Sequence, residues 1–192
     1  MIQRGAETTE MTAAEKTKLR IAEGMKNLLD NYSVEKITVK QIVEASGVTR
    51  PTFYRYFKDK YDLINWYFDI LASKSIRQMG VSMTLREALT MKYVNMRRAG
   101  NFFPAAFRSR QQNCLVEYDY ECIYQFFRDF LQKKTGRDVP EEQDFALQLY
   151  CSGAIVMTMK WAVGDMSKEP EVMADDLIDA LPEKLRVLFP LG

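Results

Sequence analysis

Histidine is absent from this 192-residue chain. That removes the commonest metal ligand and the commonest general base, so neither a zinc site nor a histidine-assisted nucleophile is expected. Cysteine is scarce. Cys114, Cys122 and Cys151 are odd in number and lie in apolar helical patterns, which points to buried thiols rather than a disulfide frame. No apolar run approaches a membrane span, and no early apolar segment resembles a signal peptide. The expectation is a cytoplasmic protein without a membrane partner. No β-alternation persists, and there is no internal repeat or low-complexity segment. A glycine-rich phosphate loop and a metal-ligand cluster are also missing, so no enzyme, metal or cofactor is expected.

What is present is 47% apolar and 28% charged residues, proportions that allow a core and a polar surface. The length suits one large or two small domains. A net charge of +1 hides an asymmetry. Residues 36–60 carry Lys36, Lys40, Arg50, Arg55, Lys58 and Lys60 against Glu44 and Asp59, a local +4. Residues 141–192 carry four basic and ten acidic groups, a local −6. The basic front is where an anionic polymer would bind.

Periods near 3.6 dominate, so the fold class is all-α, with about nine helices. The first opens at Thr12 with Glu15 as capping-box partner, after a polar stretch (1–11) read as disordered. Its apolar stripe is Ile21, Ala22, Met25, Leu28, Leu29 and Tyr32. The second opens at Thr38 with Gln41 and turns Val39, Ile42, Val43 and Ala45 inward. Gly47 suits the left-handed turn that ends it. Thr49 caps the third, Pro51 falls in its first turn, and Asp59 caps the fourth (about 60–79). Leu63, Ile64, Tyr67 and Leu71 share one side of the fourth. A fifth (about 85–99) follows Thr84, and a short sixth lies within 101–110. In the seventh (about 113–134), Leu115, Tyr118, Cys122, Phe126 and Phe130 form one face, with Ile123, Phe127 and Leu131 on a second. The eighth spans about 142–163. The ninth, about 170–189, carries Met173, Leu177, Leu181, Leu185 and Leu188, with Pro182 expected to kink or restart it.

The segment GVTRPTFYRYF (Gly47–Phe57) combines two arginines with four aromatic rings. Two short helices joined by a glycine turn form a helix-turn-helix, whose second helix enters the DNA major groove. Phe53 and Phe57, four residues apart, can then point into a small core. Arg50, Thr52, Tyr54 and Arg55 remain outside, where arginine can fork onto guanine, the threonine methyl can meet thymine and tyrosine can donate to phosphate. Lys60, at the start of the fourth helix, adds an ammonium and a helix N-terminus that both favour phosphate.

The run ITVKQIVEASGVTRPTFYRYFKDKYDLI (Ile37–Ile64) resembles the DNA-binding signature of the TetR family of bacterial regulators. The resemblance covers roughly residues 12–70. It implies DNA contacts from Thr38, Lys40, Thr49, Arg50, Pro51, Thr52, Tyr54, Arg55, Tyr56 and Lys60. The family often carries a small residue where Pro51 stands, which leaves the base contacts of Thr49–Thr52 open. It also implies a DNA-binding domain over 1–60 and an effector-binding and dimerisation domain over 61–192. A homodimer through the last two helices (about 142–163 and 170–189) would read double-stranded palindromic operator DNA. A small apolar or aromatic effector would lie among Trp66, Tyr67, Tyr93, Phe103, Phe107, Tyr118, Phe126 and Trp161, in a cavity of roughly 300 Å³ or more. Tyr150–Pro182 is similar to a subgroup that includes regulators of dihydroxyacetone kinase operons, in which a protein can be the partner and the regulator can activate. The expected function is a ligand-responsive DNA-binding repressor, with the fourth helix as the lever between domains. The alternative is a co-activator or adaptor acting through a protein partner.

Overall fold

The computed structural model describes residues 11–109 and 115–191. Among these are ten α-helices, two 3-10 turns and no strand. Most of the expected stretch of disorder and Cys114 lie outside the described residues.

The first four helices follow from local chemistry. α1 (Ala13–Leu29) and α2 (Val39–Ser46) each begin at a complete capping box, Thr12 with Glu15 and Thr38 with Gln41. Gly47 adopts φ 63° and returns the chain sharply, a conformation that costs glycine nothing. Thr49 then caps α3 (Arg50–Tyr56) by accepting from the Thr52 amide. Asp59 caps α4 (Lys60–Ser73) by accepting from the amides of Tyr61 and Asp62.

The small core of this region holds Ile21, Met25, Leu29, Ile42, Phe53 and Phe57. Two expected members lie elsewhere. Tyr32 is exposed beyond the end of α1, and Ala45 faces water while Ser46 is buried in its place. The cause is Gly24. A Cβ there would lie 2.8 Å from the Cβ of Ser46, so α1 and α2 meet with almost no side chain between them.

The fourth helix ends earlier than expected, at Ser73, and a 3-10 turn (Ile76–Gln78) carries the chain on. Its buried residues are Leu63, Ile64, Phe68 and Ala72, whereas Tyr67 and Leu71 are only half-buried. α5 (Leu85–Arg98) begins at a third capping box, Thr84 with Glu87. It packs against α9 (Pro170–Asp179), while α6 (Phe102–Arg108), α7 (Leu115–Thr135) and α8 (Glu141–Val163) pack together. On α7 the fully buried row is Leu115, Asp119, Ile123, Phe127 and Leu131. The row Tyr118, Cys122, Phe126 and Phe130 is half-buried. The expected ninth helix is divided. α9 stops at Asp179 and α10 (Glu183–Arg186) starts directly after Pro182, because proline lacks the amide and fits only a first turn.

Among the described residues no helix is long and apolar enough to cross a membrane.

Candidate nucleic-acid interface

α3 has one buried and one exposed side. Phe53 and Phe57 are sequestered, with ring centroids 5.7 Å apart, and fix the helix to the core. Arg50, Tyr54 and Arg55 point to water, and Tyr54 is 54% exposed. Among the described residues neither arginine has a carboxylate within salt-bridge distance. The Arg55 guanidinium lies 4.9 Å from the centre of the Tyr56 ring, so the two side chains present a cation and a hydroxyl together. Pro51 is exposed beside Arg50. The Thr49 and Thr52 hydroxyls lie 2.9 Å apart, which holds both at the entry to the helix.

Two expected DNA contacts are committed elsewhere. The Thr38 hydroxyl belongs to the capping box with Gln41. The Lys60 ammonium donates to the carbonyls of Glu35 (3.0 Å) and Ile37 (2.8 Å). Burial lowers its pKa against the opposing pull of Glu35 and Asp59. Lys60 therefore clamps the turn before α2 onto the start of α4. Lys40 remains exposed, 3.9 Å from Glu44, a pair weak enough to release.

Sequence reasoning missed Lys18. Its ammonium lies within 6 Å of three ring centres, those of Tyr56, Phe57 and Trp66. This contact supports the end of α3 from behind. Lys18 is a single charge on an amphipathic helix, and nothing in the sequence marks it.

The eight rings expected around an effector are not gathered at one site. Trp66 packs on Phe57 at 5.5 Å, beneath Lys18. Tyr67 packs on Phe102 at 4.7 Å. Tyr93, Phe103, Phe107 and Trp161 are buried core, with Trp161 against Tyr93 at 5.0 Å and its indole N–H donating to the Lys168 carbonyl at 2.8 Å. Tyr118 donates to Asp69 at 2.5 Å, and Phe126 lines an outer cleft. The void nearest the centre, beside Tyr93 and Thr158, has a volume of about 20 Å³. Several of these aromatic residues fill the core. Tyr118 and Phe107 line open surface clefts of about 560 and 690 Å³.

The interior holds a charge pair that the sequence reading overlooked. Lys92 on α5 meets both oxygens of Asp119 on α7 at 3.3 Å, and both side chains are buried. Asp119 stands where the α7 row calls for an apolar residue, which is the signal that could have found it. Burial pushes its carboxyl above the usual range while Lys92 draws it back. The neighbouring Cys151 thiol is pushed up to about 12 by the same burial.

α6 links the two regions. It packs on α1, α7 and α8, and the Asn101 amide donates to the Leu29 carbonyl at the end of α1, at 2.5 Å.

On α8, Phe145 and Leu149 are 69% and 65% exposed, and Val156 and Met157 continue the row. Gly153 lies on it with open space where a Cβ would be. The stripe expected on the ninth helix is mostly turned inward, with Leu188 half-buried and Val187 exposed. Met173, Leu177, Leu181 and Leu185 are buried within the chain, leaving Val172 as the exposed apolar side chain of α9.

Residues 25–66 match the sequence model of bacterial regulatory proteins of the tetR family, and residues 87–182 match that of a transcriptional regulator C-terminal region. The HTH-type dhaKLM operon transcriptional activator DhaS of Lactococcus lactis subsp. lactis (strain IL1403) is 33% identical over 49 residues. That match covers 26% of this chain and 26% of the relative's length. A solved structure of the dihydroxyacetone kinase operon activator DhaS superposes with a TM-score of 0.64 at 15% identity, over 91% of this chain and 98% of that one. A TetR regulator from Streptococcus agalactiae 2603V gives 0.59 at 21% identity, over 92% and 95%. The two structural likenesses show a shared all-helical fold.

Proposed function

The chain belongs to the tetR family of bacterial regulatory proteins, and on that premise we propose that it binds a palindromic operator as a homodimer, with α3 in the major groove. Members of this family are DNA-binding regulators rather than enzymes. The observation that carries the reading is the outer side of α3. Arg50, Tyr54 and Arg55 stand exposed and, among the described residues, without acid partners, on a helix locked from behind by Phe53 and Phe57. Such a surface is complementary to guanine edges and phosphates. Thr49, Pro51, Thr52, Tyr56 and Lys40 flank it, and Thr38 and Lys60 serve it by fixing α2 and α4. The DNA-binding domain ends at about residue 60, and the remainder is the regulatory and dimerisation domain.

The dimer contact is assigned chiefly to α8, where Phe145, Leu149, Val156 and Met157 leave a row of apolar surface uncovered. Binding across a promoter would repress by excluding polymerase, in the cytoplasm. An apolar or aromatic effector held among the core rings would have to open the space of about 20 Å³ beside Tyr93. It would act by preferring the opened state, with α4 and α6 as levers.

A gel-shift or footprinting experiment on DNA upstream of the chain's own gene tests this reading. Saturable, salt-sensitive binding to a short palindrome supports it, and binding indifferent to sequence sinks it.

A second reading, an activator or adaptor working through a protein partner, is favoured by the likeness to DhaS, named a transcriptional activator. The filled core around Tyr93 and Thr158 favours it too. Promoter occupancy that depends on a second protein would select it.

A further inference from the structure

The far end of the regulatory domain holds a cleft of about 560 Å³, lined by no residue of α1–α3. Its volume falls within the range typical of small-molecule sites. Its floor is apolar and fixed. Gly80 adopts φ 74° and lies so close to Phe130 that a Cβ would meet the ring at 2.6 Å. Phe130 stacks in turn on Phe189 at 5.5 Å. Phe126 extends this floor, the only one of the eight rings expected at an effector site to line this cleft. Val81, 82% exposed, forms an apolar lip.

The rim is basic. Lys134 donates to the Leu188 carbonyl at 2.6 Å and lies 6.0 Å from the centre of the Phe130 ring, which sets its ammonium over the apolar floor. Lys133 is exposed beside it. Among the described residues neither ammonium has a carboxylate within salt-bridge distance. Arg77 is neutralised by Asp69 at 2.5 Å. Asp129, the one carboxylate of the rim, accepts from Gln125 at 2.7 Å. Among the described residues of the rim, two ammoniums stand against one carboxylate, a local charge of +1.

We propose that this cleft binds a small amphipathic monocarboxylate, its apolar body on Phe126 and Phe130 and its carboxylate between Lys133 and Lys134. A dianion would face Asp129, and a neutral apolar molecule would leave the ammoniums unanswered. The site is separate from the DNA-binding surface, and its occupancy can be measured without DNA.

The test is calorimetric titration of the DNA-free full-length protein with octanoate, compared with 1-octanol and octylammonium. One octanoate per chain is expected, with 1-octanol at least about tenfold weaker and octylammonium not bound. Val81→Glu and Lys133→Glu change exposed side chains and should leave the thermal midpoint unchanged. Each should weaken octanoate at least about tenfold. Unchanged affinity in both variants, or no binding up to about 5 mM, would overturn the proposal.

Discussion

The Lys92 ammonium and the Asp119 carboxylate face each other at 3.3 Å in the interior, joining α5 to α7. Each charge is tolerable there because of the other. Lys92→Met would leave a buried carboxylate without its counter-charge, at a cost of about 3–5 kcal/mol near neutral pH. The folded-state pKa of Asp119, already raised by burial, would rise further above its unfolded value. The folded state would then take up a proton first, so the loss should shrink as pH falls through the raised pKa. Urea unfolding of the variant at neutral and mildly acidic pH checks this, and an equal loss at both would refute it. The double variant K92M/D119L should recover most of the stability.

Tyr54→Ala and Arg55→Ala alter exposed side chains on α3, so unfolding should hardly change. Each should cost about 1–3 kcal/mol of operator affinity. For Arg55→Ala the slope of log K against log salt should also become shallower by about 1, if a phosphate contact is lost. Filter binding across a salt series measures both.

Lys60→Met separates a clamp from a phosphate contact. Loss of the two bonds to Glu35 and Ile37 should lower unfolding stability by about 1–3 kcal/mol, together with DNA affinity. Weaker DNA binding with unchanged stability would instead make Lys60 a direct phosphate ligand.

Phe145→Asp combined with Leu149→Asp places charge on the uncovered row of α8. Sedimentation should show a monomer, and affinity for the full palindrome should fall towards that of a half-site. A dimer that persists would move the contact to another face.

The elements legible in the sequence are those decided within one turn of chain. The two expected threonine capping boxes, the opening of α5 at Thr84, the Gly47 turn, the Asp59 cap and the break at Pro182 each depend on residues at most four apart, and each formed where expected. What the sequence hid depends on pairs far apart in the chain. Asp119 reads as an anomaly until Lys92 is placed beside it. Lys60 reads as a phosphate ligand until the Glu35 and Ile37 carbonyls reach its ammonium. The two apolar rows of α7 differ by one residue in phase, and only packing decides which is deeper. Gly24 offered a signal, a glycine inside a helical pattern, whose meaning emerged only with Ser46 opposite.

The two tryptophans of this chain stand at two separate packing sites. Trp66 on α4 packs against Phe57 beneath Lys18, and Trp161 on α8 packs against Tyr93 on α5. Indole emission follows local polarity and nearby charge, so each ring is a built-in optical reporter of its own surroundings. Trp161→Phe leaves a signal that follows the seat of α4 against the end of α3, and Trp66→Phe leaves one that follows the packing of α8 on α5. The order in which the two respond to DNA or to a small molecule would give the direction in which the message travels.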